Sequence, residues 1–315
     1  SFGDMPPATW HANATLLFPT FQNNSSIAAN ETWDQEYGHV TFSSPQLRGF
    51  LDFRGNLKTI QGNLSLLNNG SYPVRLSIRE DFDLFVGGNV TVTGSSRLII
   101  GAYSTVQATI LGDITFASNN QAGSYATTVG TTTINLGGNF TINAGSQGRF
   151  RFAGEGTTGV TTLNMLNGNF QLISGNLEER GSGSARGNIR FLSNGTQTFR
   201  NSGNISGHFN YYVSPNTTLD LGTYPVVGTS PSAFVLDGTV VVGATSTGGA
   251  ISLTTTAGNI RTPVAGRTYN PGSTIIYRGA APLYIGSGHP TNTNITTVID
   301  NTAGVNLTDN TAINH

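Results

Sequence analysis

The chain has 315 residues, of which only 10 % are charged: 15 Lys and Arg against 16 Asp and Glu, a net charge of −1. Such a composition excludes the broad basic field that gathers nucleic acid or anionic lipid, and the absence of cysteine excludes disulfides, thiolate metal sites and thiol nucleophiles. The 37 % apolar content, rich in Val, Ile, Leu and Phe, with Thr, Asn, Ser and 41 Gly as the main remainder, describes a folded all-β chain.

The first segment, residues 1–54, reads as an irregular β region or cap. Its start, "SFGDMPPATW", has neither the basic stretch nor the apolar core of a signal peptide, and no run of about 18 apolar residues spans a bilayer anywhere in the chain. The missing initiator Met fits a processed or excised chain. Residues 28–36, "AANETWDQE", are the one stretch of helix-friendly composition, but they are short and uncapped and are expected to be loop.

From residue 55 to 226 a repeat takes over. Gly, then Asn or Asp, then an apolar-polar-apolar triplet recurs as "GNLSL" from Gly62, "GNVTV" from Gly88, "GDITF" from Gly112, "GNFTI" from Gly138, "GNFQL" from Gly168 and "GNIRF" from Gly187, at offsets of 26, 24, 26, 30 and 19 residues. A shortened "GNISG" from Gly203 and a distant "GNIRT" from Gly258 follow. Apolar residues two apart, such as Phe140 and Ile142, share one face of a short strand. The Gly-Asn pair before them suits a corner, either through positive φ or through a side-chain bond to the backbone. Further alternating stretches, "TTTINL" and "GRFRF", bring each period to about three strands, one coil of a solenoid whose coils stack about 4.8 Å apart. The expectation is an elongated, right-handed parallel β-solenoid of roughly ten coils, with the Gly-Asn motifs aligned at one corner. A β-sandwich is the competing architecture, but it does not require one corner motif to return every third strand.

Residues 227–315 depart from this pattern and gather prolines, as in "NPGSTIIYRGAAPLYIGSGHP"; irregular coils and the start of a further module are expected there. Three stretches, "GNIRFLSNGTQTFRNSGNISGHFNYYVSPNTTLDLGTYPV" (187–226), "AGNIRTPVAGRTYNPGSTIIYRGAAPLYIGSGHP" (257–290) and "TTVIDNTAGVNLTDNTAINH" (296–315), resemble in their order the repetitive adhesin-like modules of large secreted and surface proteins of Bacteroidetes, cargo of the type IX secretion system. The resemblance covers about half of the chain closely. It implies export, a cell-surface or extracellular location, an extended β-solenoid and an adhesive role, and it brings no catalytic residues with it. The chain departs from such proteins in ending on strand alternation at Val305 and Leu307 rather than on a sorting domain, so it is expected to be a segment of a longer polypeptide.

Candidate chemistry is sparse. "GSGSARG" (181–187) has the look of a phosphate loop, but its glycine spacing is wrong and no Lys-Ser/Thr pair follows; a corner between coils is expected. In "REDFD", Asp81 and Asp83 share one face and could hold Ca²⁺ if backbone oxygens joined them, with Arg79 as the simpler ion-pair partner. His11, His39, His208, His289 and His315 lie far apart without metal-binding spacing and read as surface or capping residues. The adjacent Glu178 and Glu179 point to opposite faces of a strand, which disfavours a glycosidase pair. Sequons at Asn13, Asn30, Asn63, Asn89, Asn139 and Asn204 follow from composition and carry no inference of glycosylation. Phe140, Phe150, Phe152, Phe170, Phe191, Phe199 and Phe209 recur once or twice per coil and are expected to stack in the core rather than form an exposed ladder.

The sequence therefore leads to a non-enzymatic structural or adhesive solenoid with no catalytic, cofactor or metal residues. Its expected partners are surface glycans, other cell-surface proteins and further modules of its own polypeptide, not nucleic acid. A carbohydrate-active β-helix enzyme, lyase, hydrolase or depolymerase-like, is the alternative.

Overall fold

In the computed structural model, residues 5–19, 25–26, 33–154, 158–182, 186–291 and 294–307 are described. They form a parallel β-solenoid of three walls. Wall A stacks twelve strands from Thr15–Phe18 to Thr296–Asn301, wall B eight from Ser25–Ser26 to Asn204–Ser206, and wall C ten from Glu36–Tyr37 to Arg267–Tyr269. Each strand pairs in parallel with its counterpart one coil on. The single helical element among the described residues is a 3-10 turn at Val264–Gly266. Of the expected loop 28–36, Glu36 instead begins the first strand of wall C and pairs with Thr59 one coil on, and 28–32 lie outside the described residues.

One coil shows how the sequence builds the fold. Thr131–Leu136 lies in wall C, Gly137 to Asn139 turn the corner, Phe140–Asn143 lies in wall A, and Arg149–Ala153 closes the triangle in wall B. Alternation sends Ile134, Leu136, Phe140, Ile142, Phe150 and Phe152 inward, where all are fully buried, while Thr133, Thr141 and Arg151 stand on the outer face. In-register stacking then puts like on like. Phe140 lies 5.3 Å from Phe170 at 15°, and Phe170 lies 4.8 Å from Phe199 at 12°. Phe116 stacks on Phe150 at 4.1 Å, so the aromatic residues do form an internal column. Burying each such ring contributes roughly 1.5–3 kcal/mol.

The corner between walls C and A carries a ladder. The side-chain oxygen of Asn63 accepts the Asn89 backbone N–H at 2.8 Å, Asn89 accepts that of Asp113 at 2.8 Å, Asp113 that of Asn139 at 2.6 Å, and Asn139 that of Asn169 at 2.9 Å. His39 Nδ1 starts the series by accepting the Asn63 N–H at 2.9 Å, and Asn169 ends it by accepting that of Thr198 at 2.7 Å. Corner amides that no strand can pair are thereby satisfied coil by coil. Of the two reasons anticipated for Gly-Asn, the side-chain bond is the operative one. The glycines before the ladder residues do not have positive φ. They are required by close approach: a Cβ on Gly88 would sit 2.3 Å from Asn63 Oδ1, and one on Gly138 2.3 Å from Asp113 Oδ1.

Three motif copies do not join this corner. "GNIRF" lies in wall C within Arg186–Phe191, where Gly187 faces inward and a Cβ would come 2.6 Å from the Phe209 ring. Its Asn188 belongs instead to a side-chain ladder on the outer face, donating to Thr162 Oγ1 at 3.2 Å and accepting from Asn210 Nδ2 at 2.9 Å. "GNISG" lies in wall B, where Asn204 Nδ2 donates to Asn176 Oδ1 at 3.3 Å. "GNIRT" lies in a two-stranded piece, Ile260–Arg261 against Val226–Val227. The shortened offsets of 19 and 16 residues mark a change of wall, since a full coil along the ladder takes 24 to 30 residues.

Candidate functional site

The strands of wall B carry a cluster of charge: Arg75, Arg97, Arg149, Arg151 and Glu178. In-register pairing aligns Arg75, Ile99, Tyr125, Arg151, Glu178 and Ser206 in one row across successive coils. Two positions earlier in the strands, Arg97 and Arg149 stand on either side of Gly123, whose added Cβ would meet Arg149 at 2.9 Å. Between Arg97 and Arg151 lies an open groove of about 550 Å³, walled by Tyr103, Tyr125, Thr128 and Val129.

The guanidinium groups are held by the protein. Arg151 Nε donates to Glu178 Oε2 at 3.0 Å and its Nη1 to the Ala122 carbonyl at 3.0 Å; Arg149 Nη1 lies 3.3 Å from Glu178 Oε1. Arg97 Nε donates to the Gly123 carbonyl at 3.0 Å, and Arg97 makes no ion pair among the described residues. One carboxylate thus serves two arginines, and Arg97 has no carboxylate partner among the described residues. Burial lowers the pKa of Arg97, and the like charges of Arg151 and Arg75 push in the same direction. Farther along, Arg75 lies over the Phe50 ring at 4.1 Å.

The residues singled out from sequence fall elsewhere or into structural roles. Asp81 Oδ1 accepts the Thr105 N–H at 2.6 Å, a coil-to-coil bond rather than an ion pair with Arg79. Among the described residues no three His, Asp or Glu side chains gather as a metal set. Glu178 and Glu179 do part: Glu178 turns to the arginines, whereas Glu179 accepts the Gly181 and His208 amides at 2.6 and 3.0 Å. Asp220 Oδ1 accepts the Gly222 N–H at 2.7 Å and lies 3.6 Å from Arg200. His39 caps the asparagine ladder. His289, against expectation, is buried, with its Nδ1 2.8 Å from Tyr277 Oη. The centre of "GSGSARG" (183–185) and His315 lie outside the described residues.

The arginine groove was not among the sequence candidates. Its trace is arithmetic: the 26-residue offset between corner motifs, applied within the strands, links Arg97 to Arg149 through Gly123, and Ile99 to Tyr125 to Arg151. The chain matches no family model, no curated protein and no solved structure.

Proposed function

We propose that this chain is a non-enzymatic structural and adhesive segment of a large secreted cell-surface protein, acting as a stalk or surface-binding module. The observation that supports it best is axial continuity: wall A runs through twelve strands, with a side-chain ladder and an aromatic column sharing its register. Such a stack transmits load along its axis and repeats its outer faces at coil spacing, which suits a spacer that also presents binding positions.

The alternative, a carbohydrate-active enzyme, draws on Glu178, which borders the arginine groove on wall B. Its two oxygens are both engaged by guanidinium groups, a state that suits charge compensation better than proton transfer. A glycan array followed by product analysis separates the readings. Retention on glycans without chain cleavage is expected; cleavage that is lost in Glu178→Gln or Asp220→Asn would overturn the adhesive reading.

A further inference from the structure

We infer that the groove on wall B between Arg97 and Arg151 is a binding site for an anionic polysaccharide, a linear sugar polymer bearing carboxylate or sulfate groups. The inference deepens the adhesive reading and rests on it.

Charge is the first ground. Arg149 and Arg151 share a single carboxylate, Glu178, and Arg97 has no ion-pair partner among the described residues, in a chain whose other described ion pairs are one to one. This local excess of cation is not balanced by the protein, and an anion lying along the groove would balance it. Pre-organisation is the second. Arg151 is fixed through Nε and Nη1 and Arg97 chiefly through Nε, which leaves Nη2 of each without a hydrogen bond and outside the set of buried unpartnered atoms. A guanidinium anchored in this way offers its remaining N–H groups to a carboxylate or sulfate oxygen with little further loss of side-chain freedom.

The third ground is the aromatic wall. Tyr103 is 58 % exposed and Tyr125 stands in the row between Ile99 and Arg151, so ring faces and phenol hydroxyls lie beside the cations. A sugar has an apolar ring face and hydroxyl edges, which such amphipathic side chains match. The groove volume falls within the range of about 300–1,000 Å³ found for small-ligand sites, enough for a few sugar residues, and it is open along the face rather than closed as a pocket. Finally, cations stand on three of the four successive coils from Arg75 to Arg151, with coils about 4.8 Å apart, so the charges are strung along the axis. A linear polyanion lying along the axis reaches them together. Nucleic acid is the less fitting polyanion, because Glu178 lies within the patch and the chain as a whole carries a net charge of −1.

The test is immobilised binding of the full chain to polygalacturonate, chondroitin sulfate, neutral dextran and single-stranded DNA. Retention is expected on polygalacturonate or chondroitin sulfate, falling as salt rises, with the pair of polymers telling carboxylate from sulfate. Arg97→Gln should weaken retention about ten-fold or more, the loss of one charge-assisted hydrogen bond, and Tyr125→Ala should weaken it too. Arg278→Gln, which removes one positive charge from wall A, should leave it unchanged. Circular dichroism melting of each variant guards against misfolding. Equal losses with Arg97→Gln and Arg278→Gln, equal retention on DNA or neutral dextran, or no retention on either anionic polymer would each overturn the site. Retention on a neutral glycan alone would overturn this site and leave the adhesive function standing. Cleavage of the retained polymer would do the reverse.

Discussion

The coils up to Ser206 and those after Gly207 solve the same problem by different means. In the first region every coil has three strands, and the polar groups at the corner are satisfied by one rule repeated: a side-chain oxygen accepts the backbone amide one coil on. After Gly207 no further strand among the described residues joins wall B; two short separate pairs, Val226–Val227 with Ile260–Arg261 and Leu283–Tyr284 with Val305–Asn306, appear there with loops and single clamping residues. Asn259, fully buried, is the clearest case. Its Nδ2 donates to the Gly222 and Tyr224 carbonyls at 2.9 Å each, and its Oδ1 accepts from the Gly243 and Ala244 amides at 3.0 and 2.8 Å. Every hydrogen-bonding position of that amide is used. The preceding Gly258 has φ +79°, a conformation that glycine tolerates and other residues resist. Arg267 adds a second clamp, bonding the Thr262 carbonyl through Nη2 at 2.7 Å and the Ser252 carbonyl through Nη1. Repetition spreads stability over many similar rungs, whereas the irregular region concentrates it in a few residues.

Substitutions should separate the two regimes, and the largest effect belongs to the shared aromatic column. Phe170→Ala removes a ring stacked on both sides, and about 4 kcal/mol of destabilisation is expected. Equilibrium denaturation would show a lower midpoint; a loss below about 1 kcal/mol would mean that the column repacks freely and the register is not held by it.

Asn259→Ala comes next, at about 3 kcal/mol, because four backbone groups lose their partner at once. Hydrogen exchange should quicken around residues 222–224 and 243–244 while the amides of the strands at 131–143 keep their protection. Uniform loss of protection would show that the two regions unfold as one unit. A single rung of the ladder should matter less: Asn139→Ala should cost about 1 kcal/mol, with faster exchange at the Asn169 amide alone. A loss as large as that of Asn259→Ala would erase the distinction between shared and concentrated stability.

The smallest effect is one of pH. Burial lowers the pKa of His289, so the unfolded chain binds a proton that the folded one resists. Stability from this group is full above the ordinary imidazole value of about 6.5 and is lost as pH falls below it toward the lowered folded value, by at most about 1.4 kcal/mol per pH unit. Exchange at Ile275 to Tyr277 should therefore quicken between about pH 7.5 and about pH 5.5, and His289→Gln should flatten that response. A slowing over the same interval would mean that the imidazole is charged in the folded state.

Much of the architecture follows from local sequence alone. Period-two alternation in "GNFTINAGSQGRFRF" defines short strands with one buried face, and recurrence at about 25 residues implies stacked coils whatever the details of closure. The inward phenylalanines are legible for the same reason: burial follows from alternation once the strand exists. Tertiary structure alone decided which wall a strand joins. "GNFTI" and "GNIRF" carry the same local signal, yet Asn139 stands on the corner ladder and Asn188 on the outer face of wall C, because the choice depends on the coil already in place. Phe199 fits above Phe170, and Phe209 fills the space that Gly187 leaves. The arginine groove belongs to this second class. Arg97, Tyr125 and Arg151 are tens of residues apart in ordinary strands, and only the stacking of successive coils sets them along one groove.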